Sequence, residues 1–166
     1  MTRSFNAFVL AFVGLSLVLP VHAQAQTVKP LLGTWKMDMA TSAAPGSPAT
    51  SNTNKLEAVG NGFHFVEENV DAQGGVMRIE YTVESFDGKD YPWKMTREGK
   101  VVPIADAIAF QRVDNHTYEL MNKNMGKVIM TQKWVLSNDG KTRTVTMNSK
   151  DAKGQTTVRT LVYEKQ

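Results

Sequence analysis

From Lys55 to the C-terminus the chain alternates apolar and polar residues with a period of two, in short runs. This is the pattern of strands with one buried and one wet face. Met77, Ile79, Tyr81 and Val83 alternate with Arg78, Glu80, Thr82 and Glu84, and Phe63 and Phe65 flank His64. Tyr91, Trp93 and Met95 share a face. Ile104, Ile108 and Phe110 share another, which also carries Asp106. Val128, Met130, Trp134 and Leu136 share one with Gln132, and near the start Trp35, Met37 and Met39 alternate with Lys36 and Asp38. Turn residues such as Gly60-Asn61-Gly62, Asp87-Gly88 and Asn138-Asp139-Gly140 separate the runs. Their spacing, roughly 8–15 residues, suits a β-meander, and Asn, Asp and Gly accept the backbone that tight turns need.

The pattern predicts about ten strands, near 33–40, 53–59, 62–69, 75–86, 89–95, 104–113, 116–122, 127–137, 141–149 and 155–164. No segment after residue 23 shows a helical period of any length. One-sided strands joined by short turns predict an all-β fold, a single antiparallel up-and-down barrel of about 8–10 strands whose closure removes exposed edges. A β-sandwich needs long crossing connections. Only the segment 41–54 could supply one, and its Ser, Ala, Thr, Asn and Pro content, with Pro45-Gly46 and Pro48, predicts a surface loop or lid.

Residues 1–23 read as a cleaved export signal: Arg3, an uncharged apolar run over 7–19, Pro20, and a small-residue site at Val21-His22-Ala23. The run is shorter than the ~20 apolar residues that span a bilayer, so no membrane span is expected once the signal is removed. The predicted organisation is signal 1–23, linker 24–32 and barrel 33–166, in a protein destined for the periplasm or secretion. Losing Arg3 leaves 18 basic against 16 acidic residues, a net charge of +2 with no basic stripe, so no nucleic-acid partner is expected. With no cysteine, packing alone must hold the exported fold.

Two segments carry a family likeness. Leu32-Gly33-Thr34-Trp35-Lys36 resembles the first strand of the calycin superfamily, the lipocalins and fatty-acid-binding proteins. Arg159-Thr160-Leu161-Val162-Tyr163-Glu164-Lys165 resembles their last strand. The resemblance implies a cup closed at its base by the first-strand Trp packed under a last-strand Arg. Here that assigns a structural closure to Gly33, Trp35 and Arg159, with a cation–π contact between the last two. The Pro- and Ser-rich segment stands where fatty-acid-binding proteins carry a two-helix lid, which implies a more open, lipocalin-like mouth. The chain is also similar to small exported bacterial proteins that share Gly-Thr-Trp-Lys, Asp87-Gly88-Lys89-Asp90-Tyr91-Pro92 and a Tyr-Glu-Lys ending. That likeness implies export and a barrel, and no mechanism.

Candidate chemistry is sparse. There is no nucleophilic Cys and no Gly-x-Ser-x-Gly elbow, so an isomerase or cyclase acting inside the cup would rest on fold analogy alone. Past the signal only His64 and His116 remain, and Glu67-Glu68 reads as a surface pair, so neither metal nor cofactor is expected. Asn115-His116-Thr117 reads as turn chemistry. The inward aromatics and the nine Met residues predict a cavity for a small apolar ligand. Its expected lining is Phe63, Phe65, Tyr81, Tyr91, Trp93, Phe110 and Trp134, with Asp106, Arg112 and Gln132 as polar groups that would orient the ligand. For Asp106 the reading as a strand-end residue at the barrel rim is preferred over that of a ligand anchor. Aromatics in a barrel of this size can also fill it, which leaves an envelope protein acting through its surface loops as the alternative.

Overall fold

A computed structural model of the protein describes residues 28–42, 49–151 and 153–166. The predicted export signal lies outside them. The strands are β1 (Gly33–Met37), β2 (Ala49–Val59), β3 (Gly62–Asp71), β4 (Val76–Val83), β5 (Asp87–Arg97), β6 (Lys100–Val101), β7 (Ala107–Arg112), β8 (Thr117–Asn124), β9 (Lys127–Leu136), β10 (Thr142–Lys150) and β11 (Thr156–Lys165). One short helix, α1 (Met39–Ser42), follows β1. Ten strands pair in chain order, all antiparallel, and β11 returns to β1, so the sheet is a closed up-and-down barrel. The two-residue β6 is an appendage of β5. Among the described residues no helix is long and apolar enough to cross a membrane.

The period-two pattern sets which side chains face inward, and the structure follows it in most strands. However, β1 ends at Met37, so Met39 starts α1, and Val128 of β9 is exposed. Two further strands depart from the pattern. The alternation in β4, β5 and β9 points the expected residues into the barrel: Tyr81, Trp93, Met95, Trp134 and Leu136 are buried. Most turns fall where Gly and Asn were read, but Asp87-Gly88 lies inside β5, and the β4–β5 connection is residues 84–86. The first departure is that β2 begins at Ala49, so residues 49–54 belong to a strand and not to a surface loop. Thr, Ser and Asn side chains masked it, because here the buried face itself is polar: Asn52 and Asn54 point inward. The second is that β7 begins at Ala107. Ile104 and Asp106 precede it and are exposed.

Six strands, β2, β3, β4, β7, β8 and β9, carry a bulky apolar residue to the same end of the barrel. There Leu56, Phe63, Val83, Phe110, Tyr118 and Leu136 are buried. Phe86, from the β4–β5 connection, adds to them. The 3-10 turn Lys29–Leu31 closes this end from below: Leu31 is buried and its carbonyl accepts a hydrogen bond from Trp35 Nε1 at 2.8 Å. Gly62 fits because a Cβ there would lie 1.8 Å from the Val83 carbonyl oxygen of the neighbouring strand. Gly62→Ala is expected to lower stability by about 1–3 kcal/mol through forced backbone displacement, read as a lower urea midpoint with an unchanged m-value.

The closing cation is not the expected one. Arg143, on β10, lies over Trp35 at 4.8 Å, Trp134 at 4.3 Å and Tyr163 at 4.7 Å from the ring centroids. Arg159 is exposed. Trp35 pairs with Lys165, six residues beyond Arg159, and at ~3.3 Å per residue this puts Arg159 about 20 Å along the strand, at the opposite mouth. Arg143 pairs with Tyr163, whose other neighbour is Met37, and so sits near the level of Trp35. Lys165 itself covers the Trp35 ring at 5.2 Å. Gly33 enters the strand with a φ of +119°, a conformation that favours glycine.

Candidate functional site

Beyond the aromatic end the barrel holds a cavity of about 230 Å³. By the share of space that a water occupies, this suits about eight waters or a molecule of roughly ten heavy atoms. Its walls are of two kinds. Met77, Ile79, Met130, Met147 and Leu161 make an apolar side toward the mouth. Beside them β2, β3 and β10 build a polar cluster through the same alternation: Asn52 and Asn54, Glu67 and Asn69, which pair with Ile79 and Met77 of β4, and Arg143. Arg159 stands at the exposed rim.

The cluster is hydrogen-bonded. Asn69 Nδ2 donates to Glu67 Oε1 at 2.8 Å, and Asn52 Nδ2 donates to Asn69 Oδ1 at 2.5 Å. Asn54 Nδ2 reaches Asn52 Oδ1 at 3.5 Å, and Arg143 Nη2 donates to Asn54 Oδ1. A second chain runs from Trp134 Nε1 to Gln132 Oε1 at 3.0 Å and from Gln132 Nε2 to Asn122 Oδ1 at 2.9 Å. Asn52, Asn54 and Asn122 are each 3 % exposed or less. Polar side chains buried this deeply lose hydration that only such bonds, or a ligand, can replace.

Burial changes the acid–base character of the site. Desolvation raises the Glu67 carboxyl, opposed mainly by the bond from Asn69 and then by Asn52, Arg143 and Asn54. Desolvation lowers Arg143 to about 10, against the opposing effect of Tyr163, Tyr81 and Glu67, so it stays charged at neutral pH. Tyr81 and Tyr163 are held well above the ordinary phenol range by burial and remain neutral. A carboxyl whose folded pKa is raised binds its proton more tightly folded than unfolded. Its stabilising effect is therefore complete below the unfolded value of about 4.5 and is lost as pH climbs through the higher folded value. Glu67→Gln is thus expected to be more stable than the unmodified protein at pH 7 and equal to it below pH 4.5. Urea unfolding at the two pH values checks this, and a variant that is less stable at pH 7 contradicts it.

The structure brings together some of the expected residues and separates others. Phe65, Tyr81, Trp93, Gln132 and Trp134 line the cavity. Phe63 and Phe110 do not: they are buried in the aromatic end, their rings 5.1 Å apart. Tyr91 turns its hydroxyl to Ser85 and to Asp87 Oδ1 at 3.1 Å. Asp106 is exposed and accepts from the Met125 amide at 2.9 Å, which is its rim reading. Arg112 is tied to the β7–β8 turn through the Asp114 carbonyl and Asn115 Oδ1.

Glu67 corrects the reading of a surface pair. Only Glu68 faces out, where it meets Arg78 at 2.9 Å. Phe63, Phe65, Glu67 and Asn69 form one unbroken alternation, so the signal was present in the sequence. Charge alone argued against it. The same holds for Arg143, Val145 and Met147 on β10. No protein-family model matches the chain, and no curated protein matches it either. The fold and site therefore define the class by themselves: a closed antiparallel β-barrel, compatible with a calycin-like fold, filled at one end and hollow at the other.

Proposed function

We propose that the protein is an exported, lipocalin-like binding protein that carries one small molecule in the open half of its barrel. One observation carries this reading: a cavity lined both by Met and aromatic side chains and by a hydrogen-bonded polar cluster. Ligand sites combine these features, with apolar surface for affinity and a few placed polar groups for orientation. A core made only for stability gains nothing from so many buried amides, since each gives at best a small net return for its lost hydration. The cavity volume suits a small metabolite and is too small to enclose a long acyl chain.

Native mass spectrometry of residues 24–166, purified gently from the native envelope, tests the proposal. An added mass that is lost on denaturation is expected. A clean mass, with no uptake of small apolar or amphipathic probes, overturns it. That result would favour the second reading, a solid barrel that acts through its loops. The ring-on-ring packing of Phe63, Phe86, Phe110 and Tyr118 at the closed end speaks for it.

A further inference from the structure

The hydrogen bonds of the polar wall run in one direction. Arg143 donates to Asn54, Asn54 to Asn52, Asn52 to Asn69, and Asn69 to Glu67. The two ends fix the sense of the chain, because a guanidinium can only donate and an ionised carboxylate can only accept. Each amide therefore turns its oxygen toward Arg143 and its NH2 toward Glu67. Aligned bonds of this kind polarise one another. The chain links a buried cation to a carboxyl with no direct ion pair between them, and its acceptor end lies on the cavity wall.

Anions find little to bind here. Arg143 Nη2 is engaged by Asn54, while Nε and Nη1 are sealed with no hydrogen-bond partner beside three aromatic rings. The whole residue is 1 % exposed. Only Arg159, at the exposed rim, offers a free guanidinium to the cavity. A cation is served better. Asn69 donates to Glu67 Oε1, Asn52 and Asn54 also favour the charged carboxyl, and Glu67 lies on the cavity wall, where it can accept from an incoming donor. The rings of Tyr81 and Trp93 line the same cavity, and aromatic faces attract ammonium groups.

We propose that the cavity binds a primary ammonium group carried on a short apolar or aromatic body, with the Glu67 carboxylate as its counter-ion. This rests on the binding function proposed above and names the ligand's chemical class. Trp93 and Trp134 line the cavity, so their fluorescence reports occupancy. The experiment titrates the mature protein with 2-phenylethylammonium, 2-phenylethanol and phenylacetate, which share a body and differ in charge. The ammonium is expected to bind about tenfold or more tighter than the alcohol, with phenylacetate weakest, from one charged hydrogen bond. Glu67→Gln keeps the side-chain size and the bond from Asn69. It should abolish the ammonium preference, so that the ammonium and the alcohol bind within about twofold of each other.

The ligand series on the unmodified protein stands even if the variant folds poorly. Alcohol or phenylacetate binding as tightly as the ammonium overturns the ammonium assignment and leaves the carrier reading intact. So does a co-purifying cargo that has no basic nitrogen. Failure of all three probes to bind, together with a clean native mass, overturns both.

Discussion

Replacing Arg143 with alanine is expected to cost about 3–5 kcal/mol, while Arg159→Ala stays within about 0.5 kcal/mol. Arg143 stacks against Trp35, Trp134 and Tyr163 and donates to Asn54, so its loss removes three desolvated cation–π contacts at once. It also opens a void and leaves the Asn54 carbonyl group buried without its donor, and both add to the cost. Arg159 makes no such contact and is exposed at the mouth. Arg143→Met separates packing from charge. It refills most of the volume with a side chain that has no charge to desolvate, and replacing a buried charge in this way is often nearly neutral. Its expected cost therefore lies well below that of the alanine variant. Urea denaturation of the three variants gives the ranking, and equal losses for Arg143→Ala and Arg159→Ala would show that the base of the barrel is closed some other way.

Phe110→Ala is expected to lose about 3–5 kcal/mol, the usual cost of truncating a buried phenylalanine. Phe110 is the hub of the closed end. Its ring centroid lies 5.1 Å from Phe63, 5.4 Å from Phe86, 5.7 Å from Tyr118 and 5.5 Å from Trp134. Two of these contacts are edge-to-face, and such pairs contribute beyond their buried area. Trp134 joins the two halves of the barrel, touching Phe110 on one side and Arg143 on the other while lining the cavity. The variant should accordingly shift the tryptophan emission as well as the unfolding midpoint. A loss below about 1 kcal/mol would mean that the neighbouring rings collapse into the space, and that this end is less rigidly packed than its ring geometry indicates.

Strand number, order and closure were legible because one-faced strands leave a period of two in the sequence and short Gly- and Asn-bearing turns leave only neighbours to pair. Half of the cavity was legible for the same reason, since Phe65, Tyr81, Trp93, Gln132 and Trp134 all lie on runs that alternate cleanly. The other half was obscured by the rule that usually serves best, that charged and amide residues face water. Asn52 and Asn54 made a strand look like a loop. Glu67 and Arg143 looked like surface charges although each stands in register with apolar residues on its own strand.

The sequence by itself determined that this chain forms an antiparallel barrel, because alternation, turn chemistry and chain length are local properties. Only the tertiary structure decided which arginine closes the base and how far the aromatics fill the interior. Those outcomes depend on register between strands distant in sequence. The pairing of Trp35 with Lys165, and of Arg143 with Tyr163, sets the height of every side chain along the barrel axis. A pattern of faces shows whether a residue points inward, and only the register shows what it meets there.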